Sequence, residues 1–145
     1  MEAAAATRDE SRPTLVEAAA IAVVISTALN ALGVFTEVEI HWVNLLVGFL
    51  MASVAAAIVF GWFVRRASRP SARGWPTGLV FAVLALITVP AFWSGLPPVF
   101  GVAAIYLGRR AWRAGSRMGI AVSLLGAVAI VLDAGAYATD VATRV

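Results

Sequence analysis

The 145-residue chain contains no cysteine, no lysine and no glutamine, and its single histidine is His41. Without cysteine there is no disulfide framework, no thiolate metal site and no cysteine nucleophile. One histidine cannot build a His-rich metal cluster, and it leaves a serine triad little to stand on. The patterns Gly-x-x-x-x-Gly-Lys, Gly-x-Ser-x-Gly and His-x-x-x-His are also missing, which removes the usual phosphate loop, nucleophile elbow and paired-histidine zinc site. No catalytic residue, metal or cofactor is therefore expected, and the chain does not read as an enzyme. Charge is scarce too. Only 13% of residues are charged, against about 25% in a soluble domain.

What is present is apolar. Hydrophobic residues make up 61% of the chain, and the mean hydropathy is +0.91. That excludes a soluble domain, a disordered chain and a secreted disulfide scaffold. It predicts an all-α integral membrane protein, a polytopic bundle. Alanine is abundant and all 11 basic residues are arginine, a composition that points to a GC-rich bacterial genome. The net charge of +3 could suggest nucleic acid. Position argues otherwise, because eight of the 11 arginines fall in two clusters beside apolar spans, where membrane topology explains them.

Residues 1–14 form a polar tail of mixed charge. Thr14 is placed to cap a helix, with Glu17 at its third position, the pattern of a capping box. The first span is read at 15–35, and 21 residues at 1.5 Å each give about 31 Å, enough for a hydrocarbon core. A cleaved signal peptide fits less well, since its apolar region would be shorter and its flank net positive. Residues 36–41 form a short acidic loop. The second span, 42–64, opens at Trp42 and closes at Trp62-Phe63, aromatic residues that favour membrane interfaces. It is followed by Arg65, Arg66, Arg69 and Arg73.

Residues 74–108 carry no charge. Their apolar part, 78–108, would be about 46 Å long as one helix, too long for one upright span and too short for two. Pro90 interrupts it, and Ser94-Gly95-Leu96-Pro97-Pro98 is turn chemistry. The prediction is a helix at 77–93, a tight turn, and a shorter returning helix at 98–112. Arg109, Arg110, Arg113 and Arg117 form the second basic cluster. The last span is read at 118–138, with a polar end at 139–145. The membrane bundle as a whole is 15–138, four long spans and one shorter helix.

Short cytoplasmic loops carry an excess of arginine and lysine. A fold-back at 95–98 keeps both Arg clusters on one side, whereas a single crossing would separate them. The expected topology is a plasma-membrane protein with a cytoplasmic N-terminus and cytoplasmic Arg clusters. Residues near 36–41, 95–98 and 139–145 would then be external. The clusters are expected to meet anionic lipid head groups, with Trp75 and Trp112 at head-group depth.

The segment Phe81–Leu132 carries a resemblance. An apolar span leads to Gly95-Leu96-Pro97-Pro98-Val99-Phe100-Gly101-Val102-Ala103-Ala104-Ile105-Tyr106-Leu107-Gly108-Arg109-Arg110. An Arg/Gly linker and Met118-Gly119-Ile120-Ala121-Val122-Ser123-Leu124-Leu125-Gly126 follow. This resembles a domain-of-unknown-function family of small, mainly actinobacterial membrane proteins, in which a Pro-containing apolar hairpin precedes a Gly-rich final helix. Here Arg109-Arg110 follow Leu107-Gly108 directly, and two spans are added upstream. The resemblance implies a membrane location and transfers no catalytic residue.

Two acids lie within spans, where an ionisable residue is costly and suggests function. Glu17, near the cytoplasmic edge, is better explained by the first-turn preference of helices for acids. Asp133 lies 15 residues into the last span and is expected to face the bundle or an interface rather than lipid. Ser26 and Asn30 are its candidate polar neighbours, with Arg144 or a loop group as another. Glu37, Glu39 and His41 alternate and could hold a cation weakly. Small residues recur at every fourth position in Asn44, Gly48, Ala52 and Ala56, and in Gly119, Ser123 and Ala127, while Ser26, Asn30 and Gly33 line the first span. Such stripes allow close helix packing, within the bundle or against a second copy or a larger membrane complex. The functional expectation is a structural, accessory or regulatory membrane component, the alternative being a small transporter subunit using a membrane-embedded carboxylate.

Overall fold

The computed structural model describes residues 14–35, 42–68 and 74–144. Among them are five helices and no strand. Helix α1 is Leu15–Phe35. Its start is the expected capping box: the Thr14 amide donates to Glu17 Oε2 at 2.6 Å, and the Glu17 amide donates to Thr14 Oγ1 at 3.2 Å. Helix α2 runs Trp42–Ala67 and widens into π-helix over Val59–Val64. It therefore extends past the expected end at residue 64, carrying Arg65 and Arg66 on its last turn.

Helix α3 spans Gly74–Ser94, regular to Thr88 and then a 3-10 coil over Val89–Ser94 that starts around Pro90. It begins three residues before the expected 77, because Pro76 falls in the first turn, where no intrahelical donor is lost. Helix α4 is Leu96–Arg113. It too begins before its expected start at 98. Pro97 and Pro98 do not form the turn; they are the first turn of the helix. The turn is Gly95 alone, at φ +68°, a left-handed conformation that costs glycine nothing. Helix α5 runs Met118–Arg144. The polar end, expected beyond the helix at 139–145, instead continues the helix to residue 144. Thr139 and Thr143 make this possible by donating to carbonyls of their own helix, at Gly135, Ala136 and Asp140.

Helices α1, α2, α3 and α5 are long and apolar enough to cross a membrane. Their packing is inverted relative to a water-soluble bundle. Many of the buried residues are small, among them Ala18, Ala22, Ala52, Ala56, Ala82 and Ala129, with a few larger ones such as Phe60, Phe81 and Leu107 between them. Large apolar side chains point outward, among them Ile21, Leu46, Leu50, Ile87, Leu124 and Val131. Exposed apolar surface on this scale is not sustained in water, whereas lipid solvates it and leaves small residues to bring backbones together. This is the arrangement of a multi-pass membrane protein.

Helix α4 is the hub. It packs against α1, α2, α3 and α5, and most of its residues from Pro97 to Leu107 are buried. Its contact with α5 is antiparallel and close enough to need glycine. A methyl group on Gly108 would lie 2.6 Å from the Gly119 carbonyl oxygen, and one on Gly101 would lie 3.0 Å from that of Gly126.

Candidate functional site

Gly119, Gly126, Asp133 and Asp140 follow one another at seven-residue intervals on α5, so they lie along one face of the helix. The first two meet α4. The same antiparallel register carries Asp133 to the level of Ser94 and Gly95, just before α4 begins. Asp133 is completely buried, with 0% of its surface exposed. The expectation that it faces the bundle rather than lipid holds. No hydrogen bond secures it, however, since neither carboxylate oxygen has a partner.

The two expected partners are engaged elsewhere. Ser26 Oγ donates to the Gly95 carbonyl at 2.9 Å, holding the α3–α4 turn against α1. Asn30 fills the space over Gly48, which has no side chain to compete with it. Both choices follow from local geometry. A left-handed glycine exposes its carbonyl, and a glycine in α2 leaves a recess. The side chain of Arg144 and the loop 36–41 lie outside the described residues.

Other polar groups within the bundle are mostly satisfied. Tyr137 Oη donates to the Phe92 carbonyl at 2.9 Å, and its ring meets Phe92 edge-on at 4.8 Å. Ser123 Oγ donates to Gly119 O at 2.9 Å within its own helix. Thr27 Oγ1 and Ser68 Oγ are, like Asp133, buried without a partner, but they are neutral. Asp133 alone of the three can carry a charge.

The start of α4 is also fully accounted for, although it lies inside the bundle. Gly95, Pro97 and Pro98 are buried, so the expected external loop at 95–98 is instead packed beside Ser26, about 16 Å along α1 from Leu15. A helix start leaves orphan amides that dry surroundings penalise. Here the Gly95 amide donates to Phe92 O and the Leu96 amide to Ser94 Oγ at 3.3 Å. Pro97 and Pro98 have no amide hydrogen to satisfy.

Glu17 is exposed and held in the capping box. The small-residue stripes are packing surfaces, with Gly48, Ala52, Ala56 and Gly119 buried and Ser123 and Ala127 half-buried. Asn44 departs from its stripe and is exposed. Gly101, Gly108 and Gly126, not singled out from the sequence, form the tightest seam. Their signal was the seven-residue spacing of Gly101 with Gly108 and of Gly119 with Gly126.

The two Arg clusters come together. Arg110 on α4 donates a guanidinium hydrogen bond to the carbonyl of Ser68, just past the end of α2. Arg65, Arg66, Arg109, Arg113 and Arg117 are exposed around it. Arg69 and Arg73 lie outside the described residues, as do Glu37, Glu39 and His41. Among the described residues no group of three or more acids or histidines could hold a metal. An open groove beside the π-helical turn, lined by Val54, Ala57, Ile58, Gly61, Trp62 and Phe63, is apolar and offers no chemistry. No family model, no curated protein and no solved structure matches this chain.

Proposed function

We propose that this chain is a small non-enzymatic protein of the plasma membrane, a structural, accessory or regulatory component whose Arg-rich end lies in the cytoplasm against anionic head groups. One observation carries the reading. The Arg110–Ser68 hydrogen bond joins two basic clusters that are far apart in sequence, making one basic rim of the kind that cytoplasmic surfaces bear. Trp112 stands exposed within that rim. Each arginine near an anionic surface contributes about 1 kcal/mol. A second copy or a larger membrane complex is a further candidate partner, although Gly48, Ala52 and Gly119 are engaged within the chain itself.

Cysteine labelling tests the orientation, because the native chain has no thiol. Ala114 is exposed just past the end of α4, ahead of α5, and Thr143 is exposed near the far end of α5. An impermeant thiol reagent should label Thr143→Cys on intact cells and Ala114→Cys only after permeabilisation. The reverse pattern overturns the reading. The alternative, a small transporter subunit, rests on Asp133 alone, since Glu17 has a structural partner. Co-purification from native membrane, with identification of what stays bound, distinguishes the two.

A further inference from the structure

Asp133 has no place in that reading. Its carboxyl is wholly buried and unpartnered, and an ionised carboxylate in such surroundings is costly. A proton on either oxygen removes the charge and creates a donor able to bond back to a carbonyl one turn earlier, as buried hydroxyls in helices do. Among the described residues no group of three or more acids, histidines or cysteines gathers around it to hold a metal ion. A proton needs neither ligands nor space.

Access is built into the same helix face. Tyr137 lies one turn beyond Asp133, and Asp140 about one turn beyond that, so the three occupy positions i, i+4 and i+7. Burial falls along the row: Asp133 is fully enclosed, Tyr137 is 4% exposed and Asp140 is half-buried. A phenol hydroxyl can receive a proton on its oxygen and release its own. Among the residues whose side chains are described, α5 carries no other titratable group from Met118 to Thr143. Helix α3, including its 3-10 coil, has none. The groups on α4 are Tyr106, Arg109, Arg110 and Arg113, all toward the basic end, and Glu17 on α1 and Arg65 and Arg66 on α2 are at that end as well.

We infer that Asp133 is a reversible proton-binding site, reached through Tyr137 and Asp140 from the end of the bundle opposite the Arg clusters. At rest Tyr137 Oη donates to the Phe92 carbonyl and makes no hydrogen bond to Asp133, so the step requires the two side chains to turn toward each other. The Asp133 carboxylate then gains a proton from Tyr137 Oη, the phenol oxygen takes one from the Asp140 side, and the net change is one proton bound. The site does not depend on lipid binding at the basic rim, and its failure would leave that reading intact.

The test is infrared difference spectroscopy of the full chain in phosphatidylcholine vesicles. The wild type at neutral pH should show a protonated-carboxyl band that Asp133→Asn removes. Transfer to deuterated buffer should shift the band, and alkaline pH should abolish it reversibly. Tyr137→Phe should keep the band but slow its deuterium shift by about a hundredfold, the low end of what a positioned proton-transfer group contributes. Asp140→Asn, on the more accessible side, should slow it as well. Because Tyr137→Phe also loses the bond to Phe92, circular dichroism must show an intact bundle; where it does not, Asp140→Asn decides. No Asp133-dependent band overturns the site. A band that never exchanges, or exchange unaffected by Asp140→Asn in an intact bundle, overturns the path.

Discussion

Glycine placement separates residues that hold this bundle from those that merely occupy it. On α5, Gly119 faces the backbone of Gly108 and Trp112, whereas a methyl group on Gly135 would meet nothing within 4 Å. Gly119→Ala should push α4 and α5 apart and cost about 1–3 kcal/mol, as overpacked cores do. Gly135→Ala should be neutral or stabilising by up to about 1 kcal/mol, from helix propensity alone. Unfolding in mixed detergent micelles would compare the pair, and equal effects would mean the seam is loose. Glu17 permits a similar separation. Glutamine at the third helical position can also reach back to the capping amide, so Glu17→Gln should leave stability and any proton-dependent behaviour unchanged. A clear loss of proton dependence in that variant would return Glu17 to the functional candidates.

The element that most needs explaining is α4, a helix that starts inside the bundle rather than at its surface. It exists because its first turn contains almost nothing to satisfy. Two prolines remove donors, Ser94 takes the Leu96 amide, and Ser26 holds the Gly95 carbonyl. Pro98→Ala would return an amide hydrogen to a buried position. The expected loss is about 1–3 kcal/mol, the desolvation penalty of an unmade hydrogen bond. Ser94→Ala should cost about 1 kcal/mol by freeing the Leu96 amide, the usual loss at a helix cap. Thermal unfolding in detergent reads both, and a Pro98→Ala variant as stable as wild type would show that water reaches this turn.

The molecule as a whole is sorted by size and by charge. Alanine predominates inside and most large apolar residues lie outside, with arginines gathered at one end through Arg110 and Ser68. Neutralising Arg109, Arg110, Arg113 and Arg117 together should disturb insertion or orientation, since about 1 kcal/mol of surface attraction is lost per residue. Protease protection of the variant in phosphatidylglycerol vesicles measures this. Unchanged topology would mean that the α3–α4 hairpin is held by packing alone.

Class, number and approximate length of the helices were legible in the chain, because a bilayer imposes length and apolarity locally, one segment at a time. The fold-back was legible too, from the length of 78–108 and the position of the Arg clusters. The capping box at Thr14 and Glu17 is local, so its spacing alone announces it. Pairings across the bundle were not legible. Ser26 and Asn30 are sensible partners for Asp133 by depth, but depth does not give direction around a helix axis. That direction follows from where Gly48 and Gly95 leave room, which depends on how three helices meet. The same reason hid Gly101, Gly108 and Gly126, whose role appears only when α4 lies against α5. Composition and periodicity put this chain in a membrane, while the close approach of backbones at glycine set its polar contacts and left Asp133 buried without one.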